Sequence, residues 1–261
     1  MVAALVSVAA SASGQELFLP IMRRVLAASH DTPPVSVPEA LLGVPLEEGD
    51  RFLVLTMLHN PTDRGYEGVH VRLVTNYNRS SLTPVYRMFP FHVDVMFPLG
   101  SKAFDLPPGW SEKHWDGSPA IAGGIVGMGG HLHAYAERLE LIDLTEDRVI
   151  WRFEPDPGPE GHIEEVPVLR PRGRGVGFPI LPSHRYRVKV TYFNPTDETI
   201  VDGGMGSVAG ALIPYDSEAW PESEPTDPIY AADYANVVVS PGGRSETGHA
   251  EPGHPDAGHA R

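Results

Sequence analysis

The chain has 261 residues, 41% of them hydrophobic and 21% charged, enough for one large β domain or two smaller ones. A formal charge of −14 repels phosphate backbones, which excludes nucleic acid as an expected partner. With no cysteine, disulfides, thiolate zinc sites and cysteine nucleophiles are excluded as well, so any metal must be held by His, Met, Asp or Glu.

Residues 1–14 are apolar and end in an Ala-Ser-Ala-like segment but lack a basic stretch. They read equally as an export segment or as a buried strand opening the domain. A weak helical pattern covers about 15–29. Period-two alternation then predicts strands at Phe52–Leu58, Gly68–Tyr77, Phe91–Phe97, Gly130–Leu144, Val149–Phe153, Tyr186–Phe193 and Met205–Ile213. Turn signals divide them at Asn60-Pro61-Thr62-Asp63, Pro107-Pro108-Gly109, Pro155-Asp156-Pro157-Gly158 and Asn194-Pro195-Thr196-Asp197. Glycine and proline number 27 each, which favours many short strands over helices. No run reaches the roughly 18 apolar residues needed to span a membrane.

The pattern predicts an all-β fold, an antiparallel sandwich or jelly roll, with either one jelly roll or one complete and one partial. The expected organisation is an N-terminal β unit over 1–84, a jelly-roll domain over 85–218, an extension over 219–240 and a disordered tail over 241–261. One internal echo is present. Leu55–Asp63 resembles Val188–Asp197, each a strand ending in Asn-Pro-Thr-Asp, as two related β units would produce. The tail carries His249, His254 and His259, each after a glycine. Such a tail either binds copper or zinc loosely or is simply polar.

The clearest chemical signal is Gly129-Gly130-His131-Leu132-His133. Alternate strand residues share a face, so both imidazoles project together, as half of a metal site or as two polar residues facing solvent. Neutral imidazole suits Cu(II), Zn(II) and Fe(II). A third ligand is required, and Met205, set among glycines, is the candidate; its thioether suits copper, above all Cu(I). The other reading is a core methionine. His59, ending a strand, is a further candidate ligand or else a turn-bonded histidine. His70 and His92 lie in alternating strands, while His114, His162 and His184 fall in loop-like segments. No paired-carboxylate set, phosphate-cradling glycine loop or Gly-X-Ser-X-Gly elbow is present.

The order of these features is distinctive: His59-Asn60-Pro61, Pro107-Pro108-Gly109, Gly129–His133, Tyr192-Phe193-Asn194-Pro195, then Met205-Gly206. It resembles the copper type II, ascorbate-dependent monooxygenases, a family including peptidylglycine α-hydroxylating and dopamine β-monooxygenases. It is also similar to bacterial secreted proteins and plant stress-upregulated nodulin-like proteins with a Gly-Gly-His-Leu-His signature. The likeness covers roughly residues 45–215.

The resemblance implies two jelly rolls, each holding one copper. The oxygen-activating copper would fall on His131, His133 and Met205. The electron-donating copper takes an adjacent His-His pair and a later histidine, of which only His59 has a counterpart. The chain contains no His-His, and the segment that would carry it falls at or before residue 1, so an upstream extension is the expectation. The resemblance further implies copper with ascorbate or another reductant, a small-molecule or peptide substrate, and a secreted or periplasmic location. Nothing here matches the family's peptide- or catecholamine-binding residues, and its disulfides are missing. Two rival readings stand beside the enzyme: a copper protein for storage, delivery or sensing, and a sandwich binding glycan or protein with structural histidines.

Overall fold

The computed structural model describes residues 2–9, 23–28, 42–46, 48, 51–58, 60, 62–74, 86–97, 102–156, 158, 161–163, 165–170, 177–216, 226, 228, 231 and 235. The elements among the described residues are strands. In chain order they are β1 (Val2–Ala9), β2 (Arg23–Ala28), β3 (Leu42–Gly43), β4 (Arg51–Leu58), β5 (Tyr86–Arg87), β6 (Phe89–Asp94), β7 (Phe104–Leu106) and β8 (Gly109–Gly117). They continue as β9 (Gly123–Leu132), β10 (Ala136–Asp143), β11 (Arg148–Phe153), β12 (Phe178–Ile180), β13 (Tyr186–Asn194), β14 (Ile200–Gly204) and β15 (Gly206–Pro214).

Eight of these strands build an all-β antiparallel sandwich with the orders β11-β10-β13-β8 and β12-β9-β15-β6. The pairing is nested. The first strand, β6, pairs with the last, β15; β8 pairs with β13, β9 with β12, and β10 with β11. That nesting is the double Greek key of a jelly roll. Between the sheets, Tyr186, Val188, Val190 and Tyr192 of β13 are buried at every second position and face Leu132, Val208 and Leu212. The intervening residues of β13 meet charges on the outer face. Arg187 donates two hydrogen bonds to Asp116, at 2.7 and 2.8 Å, and holds that carboxyl below the usual carboxylate range. Lys189 lies between Glu112 and Glu140, at 3.5 and 3.3 Å.

The N-terminal sheet, β2-β1-β4, repeats the order β11-β10-β13. The strand-end pair matches too: Val2 opposes Leu58 as Ala136 opposes Tyr192, although a bulge between Ala136 and Arg138 shifts the second ladder by one residue beyond it. β4 and β13 run into the same turn. Asn60 Oδ1 accepts from the Thr62 amide and hydroxyl at 3.0 and 2.8 Å, while Asn60 Nδ2 donates to the Arg64 carbonyl at 2.9 Å. Asn194 makes the same set with Thr196 and the Glu198 carbonyl, at 2.9, 2.8 and 2.8 Å. The sequence echo is therefore an echo of turn hydrogen bonding and strand order.

Three expectations change. Gly130–Leu144 is not one strand: β9 ends at Leu132, and a turn with Tyr135 at a positive φ of 67° opens β10. Within Gly68–Tyr77, the described residues 68–74 form no strand; Val69 and Val74 are 60% and 76% exposed. Alternation makes a strand only where an edge is free to pair, and no described strand pairs there. Within 15–29, Arg23–Ala28 is a strand against β1, not a helix. The other residues of that segment, and the tail with His249, His254 and His259, lie outside the described residues. No helix among the described residues is long and apolar enough to cross a membrane.

At the end of β10 the Asp143 side chain is buried. Its Oδ1 accepts from the amides of Thr145 and Glu146 at 3.0 and 3.2 Å, and its Oδ2 is 2.8 Å from His184 Nδ1. Burial pushes the carboxyl pKa up, but the His184 and amide hydrogen bonds outweigh it and the net direction is down. A lowered carboxyl pKa gives stability that is present above the unfolded value near 4 and is lost as pH falls through the folded one. Asp143→Asn should therefore cost about 2–4 kcal/mol at pH 7 and less at pH 3.5, measured by urea denaturation. A cost independent of pH would show that the charge of Asp143 plays no part.

Candidate functional site

The site begins with the strand parity of β9. Met128 and Leu132 are buried in the core. Gly130 faces the same way, because a Cβ there would run into Leu139 and lie 3.1 Å from Trp151. Gly129, His131 and His133 consequently face outward from the sandwich. On β15, Val208 and Leu212 point inward, and a Cβ on Gly206 would lie 2.8 Å from Val190. Met205, Ser207 and Ala209 therefore take the outer face.

Register brings these outward residues together. Ser207 pairs with His131 and Gly206 with Leu132, which sets Met205 beside His133 on the neighbouring strand. The imidazoles of His131 and His133 have centroids 5.4 Å apart and meet edge-on at 87°. With metal–nitrogen bonds near 2 Å, two imidazoles on one ion have centroids about 4.5–6 Å apart, so this spacing is compatible with a shared ion. The same face continues onto β6, where Asp94 pairs with Ser207 and His92 with Ala209. Asp94 is committed locally, its Oδ1 accepting from the Met96 amide at 2.7 Å.

The backbone around the pair is pinned from the opposite sheet. Tyr192 of β13 is buried, and its hydroxyl accepts from the His133 amide at 3.0 Å and from the Met205 amide at 3.1 Å. The same hydroxyl donates to the Met205 carbonyl. Burial pushes the phenol up to about 12, so it stays protonated and keeps its donor. Two residues beyond His133, the Tyr135 amide donates to the Gly161 carbonyl and its carbonyl accepts from the Phe193 amide, at 3.1 and 3.0 Å.

The glycines near the histidines have packing roles. Gly130 makes room for Leu139 and Trp151, and Gly204 for the ring of Phe104. Gly129 lies beside the edge segment 166–169, where a Cβ would sit 3.6 Å from Val168. Leu169 bonds along β9 through both backbone groups of Met128, at 3.0 and 2.7 Å.

The structure thus places three of the four sequence candidates at one end of the β9–β15 pair: His131 on β9, His133 just after it and Met205 just before β15. The fourth, His59, lies outside the described residues. Of the other described histidines, His92 shares the outer face on β6, across β15 from Gly129, and His162 follows Gly161 beside Tyr135, while three stand away from the pair. His70 is exposed with Nδ1 3.2 Å from the Gly68 carbonyl, His114 is on the opposite sheet, and His184 serves Asp143. Among the described residues no three His, Cys, Asp or Glu side chains converge as a metal cage. A site on this face would need its third donor from another residue type, and a thioether beside two imidazoles suits copper better than zinc or magnesium. Sequence reasoning missed Tyr192. At an inward position of a regular strand it reads as core filling, and only the need of a buried hydroxyl for partners hinted otherwise. The sequence matches no protein-family model and is not significantly similar to any curated protein.

Proposed function

We propose that the protein binds copper through His131, His133 and Met205 and acts as a monooxygenase of the copper type II, ascorbate-dependent kind. The observation that carries the reading is the pair of outward imidazoles at 5.4 Å with Met205 immediately before the adjoining strand. Copper held there would supply one-electron chemistry with dioxygen toward a substrate C–H bond, with ascorbate or another reductant returning the electrons.

The chain's own residues do the rest. His131 and His133 offer neutral nitrogen donors from a rigid strand, which lowers the cost of assembling the site. Met205 offers a soft donor that favours the reduced ion. The outward direction of all three leaves the substrate, a small molecule or a peptide, an approach from outside the sandwich. A non-catalytic copper protein for storage, delivery or sensing would use the same three donors.

Copper loading followed by dialysis, then oxygen uptake with ascorbate, separates these readings. The expected result is one retained copper and ascorbate-dependent uptake that Met205→Ala lowers at least tenfold. Retained copper without uptake would leave the non-catalytic protein. Loss of the copper on dialysis would sink both.

A further inference from the structure

We propose that Tyr192 is the positioning residue of this centre, its hydroxyl fixing the distance between His133 and Met205; the inference rests on the copper reading above. A phenol offers one O–H donor and two acceptor lone pairs. All three are used here, and only by the backbone of these two candidate ligands. The ladder stops at the Gly206–Leu132 pair, and Met205 lies just beyond it, between β14 and β15. The clamp replaces the missing ladder bonds with one oxygen reaching across the sandwich from β13.

The ring carrying that oxygen is itself held. Phe104 packs edge-on against Tyr192 with centroids 5.8 Å apart. In the N-terminal unit Leu58 takes the corresponding strand-end position, opposite the first residue of its partner strand, so the hydroxyl belongs to the unit that carries His131, His133 and Met205.

Fixing the His133–Met205 distance sets how well sulfur reaches the metal. Cu(I) draws more on the thioether than Cu(II) does, so the clamp should act on the two oxidation states unequally.

The test uses the full chain loaded with copper alone. Affinities for Cu(I) and Cu(II) are measured by chelator competition, with the reduction potential and the copper–sulfur signal in X-ray absorption. Tyr192→Phe removes one oxygen and leaves the core filled. It should bind Cu(I) about tenfold more weakly, within the range seen for supporting groups around metal ligands, and lose copper–sulfur signal. With Cu(II) affinity unchanged, the potential should fall by about 59 mV, the one-electron equivalent of tenfold. Val188→Ala, which loosens the same core on β13 and keeps the hydroxyl, should leave both affinities as in the wild type. Wild-type Cu(I) affinity in Tyr192→Phe, or an equal loss in Val188→Ala, would overturn the positioning role. Amide exchange in the wild-type chain tests the clamp without any variant: His133 and Met205 should both be protected, and rapid exchange of either would overturn it. Cu(I) affinity unchanged by Met205→Ala would instead defeat the copper reading itself, and this inference with it.

Discussion

His131→Ala should weaken copper binding at least a hundredfold while shifting the apo-protein melting temperature by no more than about 2 °C. Loss of a group that merely supports a ligand costs about 10–100-fold in metal affinity, so loss of a direct ligand belongs at or beyond the upper end. Stability should be spared because His131 points away from the core and Leu132 carries the packing at this point of β9. Outward substitutions of this kind usually stay within about 0.5 kcal/mol. His133→Ala should behave alike, and the double variant should lose less than the product of the two, since one imidazole with Met205 already holds copper poorly. Chelator competition reads the affinity and calorimetry the melting. A folded His131→Ala protein with unchanged affinity would mean that the ligands are other residues.

Gly210→Val is expected to act in the opposite sense, leaving little folded protein. Gly210 lies on β15 opposite Met128. A Cβ there would fall on the Gly127 carbonyl oxygen and within 2.8 Å of the Met128 Cα. These are backbone atoms of the neighbouring central strand, and they cannot rotate aside as a side chain would. Forcing them apart should cost about 3–5 kcal/mol, more than ordinary overpacking, against a total of about 5–15 kcal/mol for a domain. Gly129→Ala is the control, because its Cβ would meet Val168 at 3.6 Å and the Pro167 carbonyl oxygen at 3.9 Å, both ordinary contacts. Urea denaturation should place Gly129→Ala near the wild type and Gly210→Val far below it. Equal stability of the two would show that β9 and β15 are not as closely joined as described.

The core strands were legible because their chemistry is simple. Tyr186–Asn194 alternates buried and half-buried residues along its length, and that period of two is printed in the sequence. Gly109–Gly117 was not foreseen, since Ser111, Glu112, Lys113, His114 and Asp116 show no apolar period. It is an edge strand whose charges are matched across the ladder, Asp116 by Arg187 and Glu112 by Lys189, and sequence alone does not reveal those partners. The converse error was Gly68–Tyr77, where a good period found no described edge to join.

The site divides along the same line. His131 and His133 are two residues apart, so strand geometry alone places them together. Met205 joins them only through the pairing of β9 with β15, which no local pattern encodes. Its neighbouring glycines pointed toward that place for a reason different from the expected one: they make room for Val190 and Phe104 in the core.

The nested pairing of the jelly roll has a consequence for the order in which the protein acquires its chemistry. β9 and β15 lie far apart in the sequence, and β15 is the last strand of the sandwich. During synthesis the two histidines emerge early, while their sulfur neighbour and the tyrosine beneath it arrive only as the final strands are made. Such long-range closure is slow, typically milliseconds to seconds. On the copper reading proposed above, the imidazoles would be in place before the thioether, and the full donor set would be assembled only once β15 is seated between β6 and β9.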